Sequence, residues 1–237
     1  MFNLFNRTFG KGARAIQRTL IKNDPNFDLH DLVIQMARQD SADYVVRNLM
    51  QAMPFKKREE LWDFCINRIH GSHPKGGVIL EFGVFKGESI NYFAKRCPDY
   101  KLYGFDSFEG LEEDWIGKVG HTKGTFDMNG RLPKCEKNVE LIKGWFESTL
   151  PVFMEELGST QVKILHMDAD TYKPSAFVLN TLSKNLAKGT VVIFDEYFGY
   201  PNFRSHEFKA WRELMESTDL KYDYIGYTEF QVAVEVK

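Results

Sequence analysis

The sequence lacks the features that mark several specialised classes of protein. Its three cysteines, Cys65, Cys97 and Cys135, are odd in number and form no C-x-x-C pair, which argues against a disulfide framework or a thiolate metal site. No apolar run approaches the roughly 18 residues of a spanning helix, and no secretory signal opens the chain. We therefore expect reduced thiols, no transmembrane segment and a cytoplasmic location.

The sequence also lacks an excess of charge of either sign. Lys and Arg together number 31 and Asp and Glu 33, for a net charge of -2. Nucleic-acid binders grip phosphates with a basic surface, so this balance predicts no nucleic-acid partner. A chain of 237 residues with 43% hydrophobic residues is long enough to bury a sizeable core.

The first 22 residues are an exception to the charge balance. They contain five basic residues and no acidic one, interleaved with apolar residues. Such an arm fits a membrane-surface or targeting segment, but packing on its own domain or on a neighbouring subunit is the favoured interpretation. A homo-oligomer is therefore expected.

Two regions follow the arm. Apolar residues recur at helical spacing over 29–69 and predict two or three helices, and a cluster of turn-forming residues over 70–77 predicts a boundary. We expect an arm and helical lid over 1–75 and a catalytic α/β core over 76–237.

Beyond residue 77, short apolar runs alternate with helical stretches, as in a doubly wound, mostly parallel sheet. A closing antiparallel hairpin is expected from the short 228–230 link. The seven expected strands are Val78–Phe82, Lys101–Phe105, Val139–Ile142, Val162–Met167, Thr190–Phe194, Tyr222–Tyr227 and Gln231–Val236, and the helices lie around 89–96, 175–186 and 207–215.

A glycine turn follows the first of these strands. Gly83 and Gly87 lie four apart between strand and helix, where a ligand can approach the backbone closely. Asp106 lies 19 positions after Gly87, near the interval of about 20 at which an acid reaches a ribose hydroxyl. Together they indicate an adenosine-type ligand. The turn departs from G-x-G-x-x-G at Phe85 and Lys86, which disfavours a dinucleotide.

Four acidic residues follow two later strands. Asp168 and Asp170 come after the strand ending at Met167, and Asp195 and Glu196 after the strand ending at Phe194. Carboxylates crowded at one sheet edge repel one another and need shared protons or a cation. Oxygen ligands favour a hard ion such as Mg²⁺. The alternative, strand-end acids that cap a helix, leaves the second pair unexplained.

Several segments resemble the class I S-adenosylmethionine-dependent methyltransferases, and within them the macrocin O-methyltransferase (TylF-like) family of metal-dependent sugar O-methyltransferases. The resemblance covers roughly residues 76–236. The segments that carry it are Glu81–Ser89, Tyr103–Leu111, Lys143–Pro151, His166–Tyr172 and Phe194–Tyr197.

The resemblance implies roles for named residues. Asp168, Asp195 and Glu196 would hold the metal and Asp170 would be the general base, although the family commonly has two aspartates where this chain has Asp195 and Glu196. The residues expected at S-adenosylmethionine are Glu81, Phe82, Gly83, Gly87, Ser89, Asp106, Ser107, Gly144, Trp145 and Asp168.

Several other candidate site residues fit either a functional role or a structural one. His166 is a candidate catalytic residue, although its place within a strand also fits a packed, hydrogen-bonded histidine. Tyr172, Tyr197 and His206 are candidates for binding the acceptor, and Trp145 fits either the adenine neighbourhood or the core. The loop over 109–138 is long enough to predict a functional role, partly covering the site.

The function expected from these features and from the resemblance is methyl transfer from S-adenosylmethionine to a hydroxyl of a sugar or glycosylated small molecule, as in natural-product or polysaccharide biosynthesis, with Mg²⁺ as the expected cation. Two alternatives stay open: an O-methyltransferase of another vicinal diol such as a catechol, and a non-catalytic S-adenosylmethionine-binding scaffold. A scaffold would have no reason to tolerate four repelling carboxylates.

Overall fold

A computed structural model describes residues 28–71, 76–117 and 120–237. The basic arm of residues 1–22 lies outside the described residues. The chain forms two units, residues 1–36 and 37–237; the described part of the first unit is the start of helix α1. The helices are α1 Leu29–Asn48, α2 Arg58–Gly71, α3 Glu88–Arg96, α4 Phe146–Leu157, α5 Tyr172–Leu182 and α6 Glu207–Ser217.

In the part of the chain that the structure describes, eight strands form one sheet. They are β1 Met53–Pro54, β2 Val78–Phe82, β3 Lys101–Asp106, β4 Val139–Lys143, β5 Val162–Met167, β6 Val191–Phe194, β7 Tyr222–Tyr227 and β8 Val232–Val236. The order across the sheet is β1-β7-β8-β6-β5-β2-β3-β4. Only β8 runs antiparallel to its neighbours, β6 and β7.

The predicted α/β fold with a doubly wound, mostly parallel sheet is confirmed, and so is its closing hairpin. The predicted number of seven strands is wrong. Met53 and Pro54 pair in parallel with Gly226 and Tyr227 and add an eighth strand at the sheet edge. Two residues give no alternation that a sequence could reveal. Helix α5 also begins at Tyr172 rather than near Ser175, because Pro174 is tolerated in the first turn of a helix.

The central strands are buried along their whole length, and mostly apolar, because both sheet faces are covered. Every residue of β2, β5 and β6 is buried. One core cluster contains Phe82, Phe105 and Trp211, and another contains Trp62 and Phe93. Each fully buried side chain of this size contributes about 1.5–3 kcal/mol, so these strands are held rigidly.

The order in which successive strands are added to the sheet reverses between β2 and β5. From β2 it moves outward to β3 and β4, then returns to β5 and continues to β6 on the other side. In open α/β sheets the carboxyl ends of the strands at such a reversal form a ligand crevice. Among the described residues no helix combines the length and apolar character that crossing a bilayer requires.

Candidate functional site

A cavity of about 380 Å³ lies at the carboxyl edge of the sheet, at the reversal between β2 and β5. This volume is in the range of small-molecule sites. Loop residues Leu111, Trp115 and Phe126 line it, which confirms the prediction that the 109–138 loop covers part of the site. The cavity brings together eight of the residues predicted from the sequence: Gly83, Asp106, Ser107, Trp145, Asp168, Asp170, Asp195 and Glu196.

The glycine turn after β2 requires glycine because the backbone of Asp168 lies very close to Gly83. Gly83 has a φ of +94°, and a Cβ there would lie 1.8 Å from the carbonyl oxygen of Asp168. Only glycine fits such a conformation and such a contact. Gly87, with a φ of +79°, precedes helix α3 and does not line the cavity. The turn therefore brings bare backbone to the wall of the cavity.

Asp106 braces this turn from the end of β3. Its Oδ2 accepts hydrogen bonds from the backbone N–H groups of Val84 at 2.9 Å and Phe85 at 2.8 Å, and its Oδ1 accepts one from Phe108 at 2.6 Å. Ser107 is buried beside it, and its Oγ accepts the N–H of Glu109. The acid that the sequence associates with a ribose thus also fixes the turn.

The carboxylates after β5 and β6 converge. One carboxylate oxygen from each of Asp168, Asp195 and Glu196 can be chosen so that all three lie within 4.8 Å of one another. Burial, followed by the charges of Asp195 and Asp170, raises the pKa of Asp168 well above its ordinary value. Asp170 has a φ of +58°, which costs a non-glycine residue about 1–2 kcal/mol and is typical of functional sites.

Three predicted residues form a buried layer beneath this cluster instead of lining the cavity. His166 packs between the rings of Trp62 and Phe93, and its Nδ1 lies 3.0 Å from Glu81 Oε2. Ser89 Oγ donates to the other oxygen of Glu81 at 3.0 Å. Nε2 of His166 lies 3.8 Å from Asp195 Oδ1.

The prediction of His166 as a catalytic residue is therefore not supported by its placement, and the packed alternative describes it. Burial opposes its charge, but the neighbouring carboxylates of Asp195 and Glu81 raise its pKa to about 10. Burial also raises the pKa of Glu81, against the hydrogen bond and charge of His166. The pair supports Asp195 from below.

None of the three predicted acceptor residues lines the cavity. Tyr197 is fully buried, and its hydroxyl lies 2.9 Å from that of Tyr224. Tyr172 opens helix α5 and donates from its hydroxyl to Glu213 at 2.6 Å. His206 precedes helix α6, and burial lowers its pKa. Proximity in sequence to the acidic cluster did not bring these three side chains to the cavity lining.

Two further predicted cofactor residues support the cavity from behind. Phe82 stacks on Phe105 with ring centroids 4.5 Å apart, within the core. Gly144, with a φ of +142°, donates from its N–H to the Asp106 carbonyl oxygen at 2.9 Å. This contact turns the chain so that Trp145, whose surface is 37% exposed, lines the cavity.

Sequence reasoning missed two polar supports of the acidic cluster. Glu207 is completely buried, and its Oε2 accepts the backbone N–H of Glu196 at 3.1 Å. Burial is the main cause that raises its pKa to about 8. Gln231 donates from its Nε2 to Asp195 Oδ1. A glutamate that opens a helix and a glutamine in a hairpin carry no sequence signal of this role.

It also missed an aromatic wall, formed by Phe85, Trp115, His121 and Phe126, all of which line the cavity. His121 stacks on Trp115 with ring centroids 5.2 Å apart and an interplanar angle of 9°. Phe126 lies 5.1 Å from His121 and 5.4 Å from Phe85. The length of the loop was the only signal available for three of these residues.

The fold and the site define a doubly wound α/β protein with a ligand cavity at its topological switch point. Residues 80–197 match the family model described as a methyltransferase domain. No curated protein matches the chain.

Two solved structures share the fold over most of their length. CalS11, described as a calicheamicin methyltransferase, is 21% identical, with 95% of this chain and 92% of that chain covered and a TM-score of 0.58. The O-methyltransferase NovP is 22% identical, with 75% and 78% covered and a TM-score of 0.55. The chain therefore carries a methyltransferase domain over residues 80–197 and has the fold of class I S-adenosylmethionine-dependent methyltransferases.

Proposed function

We propose that the enzyme methylates a hydroxyl of a sugar or glycosylated small molecule with the help of a divalent cation, as a member of the macrocin O-methyltransferase (TylF-like) family. The observation that carries this proposal is the convergence of Asp168, Asp195 and Glu196 beside the cavity. The similar structures support the acceptor class, since CalS11 is also described as a TDP-rhamnose 3'-O-methyltransferase.

On the donor side, the residues of β2, β3 and the β4–α4 turn would hold S-adenosylmethionine. Gly83 exposes backbone at the cavity wall, and Asp106 is fixed where an acid can receive ribose hydroxyls. Trp145 lines the same cavity and offers a ring face for adenine. Glu81 and Ser89 are engaged with each other and with His166, so we assign them to support of the turn.

The residues present fit a divalent cation. Three carboxylate oxygens within 4.8 Å form an oxygen-only donor set of the kind that Mg²⁺ prefers. Burial, followed by the charges of Asp195 and Asp170, raises the pKa of Asp168, so a nearby cation would stabilise its charged form. Glu196 reaches the cluster although it replaces an aspartate of the family. When bound, the cation would lower the pKa of a coordinated hydroxyl and so favour its ionisation.

Asp170 is assigned as the general base. It lines the cavity two residues after Asp168, and its left-handed backbone holds it at the site. Asp170 would accept the proton that the acceptor hydroxyl loses as its oxygen takes the methyl group of S-adenosylmethionine, whose sulfur would leave as a thioether. Gln231 and His166 position Asp195 from the side and from below.

The proposal is tested by calorimetric titration with S-adenosylmethionine and with Mg²⁺, each alone and then together. We expect cofactor binding without metal, and separate Mg²⁺ uptake that the Asp168→Ala substitution abolishes together with methylation of a glycosylated acceptor. Cofactor affinity of this variant should change little. Glu216→Ala, which removes an exposed carboxylate paired with Arg212, is the matched control and should behave as wild type.

Two results would contradict the proposal. Full turnover in the presence of a chelator, or in Asp168→Ala, would exclude a catalytic cation at this cluster. Metal-dependent methylation of a catechol with no turnover of any glycoside would assign the enzyme to the other diol class, because the same chelation serves any pair of vicinal hydroxyls.

A further inference from the structure

Exposed apolar side chains concentrate on helix α1 and the turn that follows it. Six of the ten large apolar side chains that are exposed among the described residues lie within positions 29–53: Leu29, Val33, Met36, Val46, Met50 and Met53. Positions 29, 32, 36, 39, 43, 46, 50 and 53, which we call the α1 stripe, follow the alternating spacing of three and four that is typical of paired helices. Only Gln39 and Asp43 interrupt its apolar character. Clustered exposed apolar residues mark interaction surfaces.

The opposite face of α1 packs on its own chain. Ser41 and Tyr44 are buried. Ser41 Oγ accepts the backbone N–H of Gly199 at 2.9 Å, and the Tyr44 hydroxyl lies 2.6 Å from that of Tyr224. At 3.6 residues per turn, these two positions lie on the side of the helix away from the α1 stripe. One face of α1 therefore holds the helix in place and leaves the stripe outward.

A second cavity, of about 640 Å³, lies at the end of the α1 stripe. Its lining includes apolar residues and three cations, namely Met50, Met53, Phe64, Arg47, Arg68 and Lys237. Asp223 also lines it and pairs with Lys237 at 2.7 Å, so the net charge of the lining is positive. This cavity fits an occupant that is both apolar and acidic.

The start of α1 has this chemistry. Asp28 and Asp31 alternate there with Leu29 and Leu32, and the side chain of Asp28 accepts the backbone N–H of His30 at 2.7 Å. The other end of the helix carries Arg47. The two ends of α1 thus carry opposite charges, which favours an antiparallel pairing of two copies of the helix.

We propose that a second copy of this chain docks on the α1 stripe with its own α1 antiparallel, so that the acidic start of each helix reaches the cavity at the end of the other. A twofold axis at the level of Ser41 sets Met36 against the partner's Val46, and Gln39 against the partner's Asp43. Apolar residues then meet apolar ones and polar residues meet polar ones, twice over.

The polar positions at the centre specify this register. Gln39 Nε2 donates to Asp43 Oδ1 at 3.1 Å within one chain, and polar residues within an apolar seam select one alignment of paired helices. A parallel pairing would bring Asp43 against the partner's Asp43 and like-charged ends together, which is unfavourable. None of the α1 stripe lines the candidate active site, so the inference does not depend on the proposed methyl transfer.

Disulfide trapping tests the register in the full chain. The double substitution Met36→Cys with Val46→Cys is made in a Cys135→Ser background, since Cys65 and Cys97 are buried. Within one helix these two positions are roughly 15 Å apart, beyond the reach of a disulfide, so a bond between them joins two copies. We expect a covalent dimer after mild oxidation of the double variant. Each single variant should stay monomeric on a denaturing gel, because the axis also separates identical positions by roughly 15 Å.

Sedimentation velocity tests the dimer itself. At about 20 µM we expect the full chain to sediment at twice the 27.6 kDa of one copy. Val46→Glu should weaken dimerisation at least about tenfold, because it places a charge in the apolar seam. Val152→Glu is the matched control, since Val152 is 68% exposed on helix α4 and Val46 is 64% exposed, and it should leave the dimer intact. Arg47→Glu should weaken the dimer more at low than at high ionic strength.

Three outcomes would overturn the inference. A full chain that is monomeric at this concentration has no such dimer, and dimerisation only after removal of residues 1–22 would show that the basic arm occupies the stripe. Equal weakening by Val46→Glu and Val152→Glu would place the contact elsewhere. Trapping in the Met36→Cys single variant as efficient as in the double variant would exclude the antiparallel register.

Discussion

At the scale of single residues, the site depends on backbone positions that few amino acids can occupy. Gly83 faces the Asp168 carbonyl so closely that a methyl group has no space, and its φ lies in the left-handed region. Gly158 shares a positive φ, at +54°, but a Cβ there meets nothing within 4 Å. Substitutions at the two glycines therefore distinguish the cost of a positive φ, which both positions share, from the cost of a steric clash, which arises only at Gly83.

We expect Gly83→Ala to destabilise the protein by more than about 3 kcal/mol and to abolish cofactor binding, because the added Cβ must push apart the ends of β2 and β5. Gly158→Ala, which suffers only the positive-φ backbone, should cost about 1–3 kcal/mol and retain binding. Urea unfolding and calorimetry measure both effects. Equal losses of stability in the two variants would show that contact with Asp168 is unimportant.

Residue chemistry also explains which parts of the site the sequence could predict. Gly83, Asp106, Asp168 and Asp195 end strands or open turns, and the parallel sheet places all strand ends at one edge. Tyr197 follows Asp195 by two positions yet lies in the core, because the chain folds back after β6. Neither its burial nor that of Glu207 has a local signature, since both depend on packing between distant elements.

At the scale of elements, an ion pair joins the later part of helix α1 to the turn before helix α6. Arg204 contacts Asp40 through two hydrogen bonds of 2.8 Å, and its guanidinium carbon lies 4.9 Å from the ring centroid of Phe203 and 5.1 Å from that of Phe208. The hydrogen bond from Arg204 lowers the pKa of Asp40 below 3.8, against the effect of burial. The pair is nearly half exposed, so its contribution is modest.

Because the pKa of Asp40 is lower in the folded chain than in the unfolded one, its stabilisation is present above pH 3.8 and disappears as the pH falls through the folded value. Asp40→Asn should therefore lower the free energy of unfolding by up to about 1 kcal/mol at pH 7. The difference should vanish as the pH falls through the pKa of Asp40 in the folded chain, as chemical denaturation at several pH values would show. Asp99→Asn, at an exposed site, is the control; a pH-independent loss in Asp40→Asn would contradict the account.

The elements themselves were predictable where burial is continuous. The bounds of β2, β5 and β7 agree with the prediction because a strand covered on both faces, or ended by turn residues, is visible as a short apolar run. Strand β1 was missed because its two exposed residues are held only by pairing with β7. Pairing partners across the sheet leave no trace in the local sequence.

At the scale of the whole molecule, ligands that bind only the folded chain raise its stability by mass action. At about one hundred times its dissociation constant, S-adenosylmethionine should contribute about 2.7 kcal/mol and raise the Tm by about 5–10 °C. Mg²⁺ should add a further increase that a chelator or Asp168→Ala removes while the effect of the cofactor persists. A Tm unchanged by Mg²⁺ would exclude binding at the acidic cluster. A Tm unchanged by S-adenosylmethionine would show that the cavity does not bind this cofactor.

The adjacency of β2 and β5 has a consequence for how the protein is made. Glu81 pairs with His166 across these parallel strands, so the two walls of the cavity are separated by 85 positions of chain. Closing so long a loop is entropically expensive and slow, and during synthesis the glycine turn emerges long before Asp168. The cofactor can therefore bind only to chains in which both walls of the cavity have formed. Cofactor present in the cell would selectively stabilise those chains.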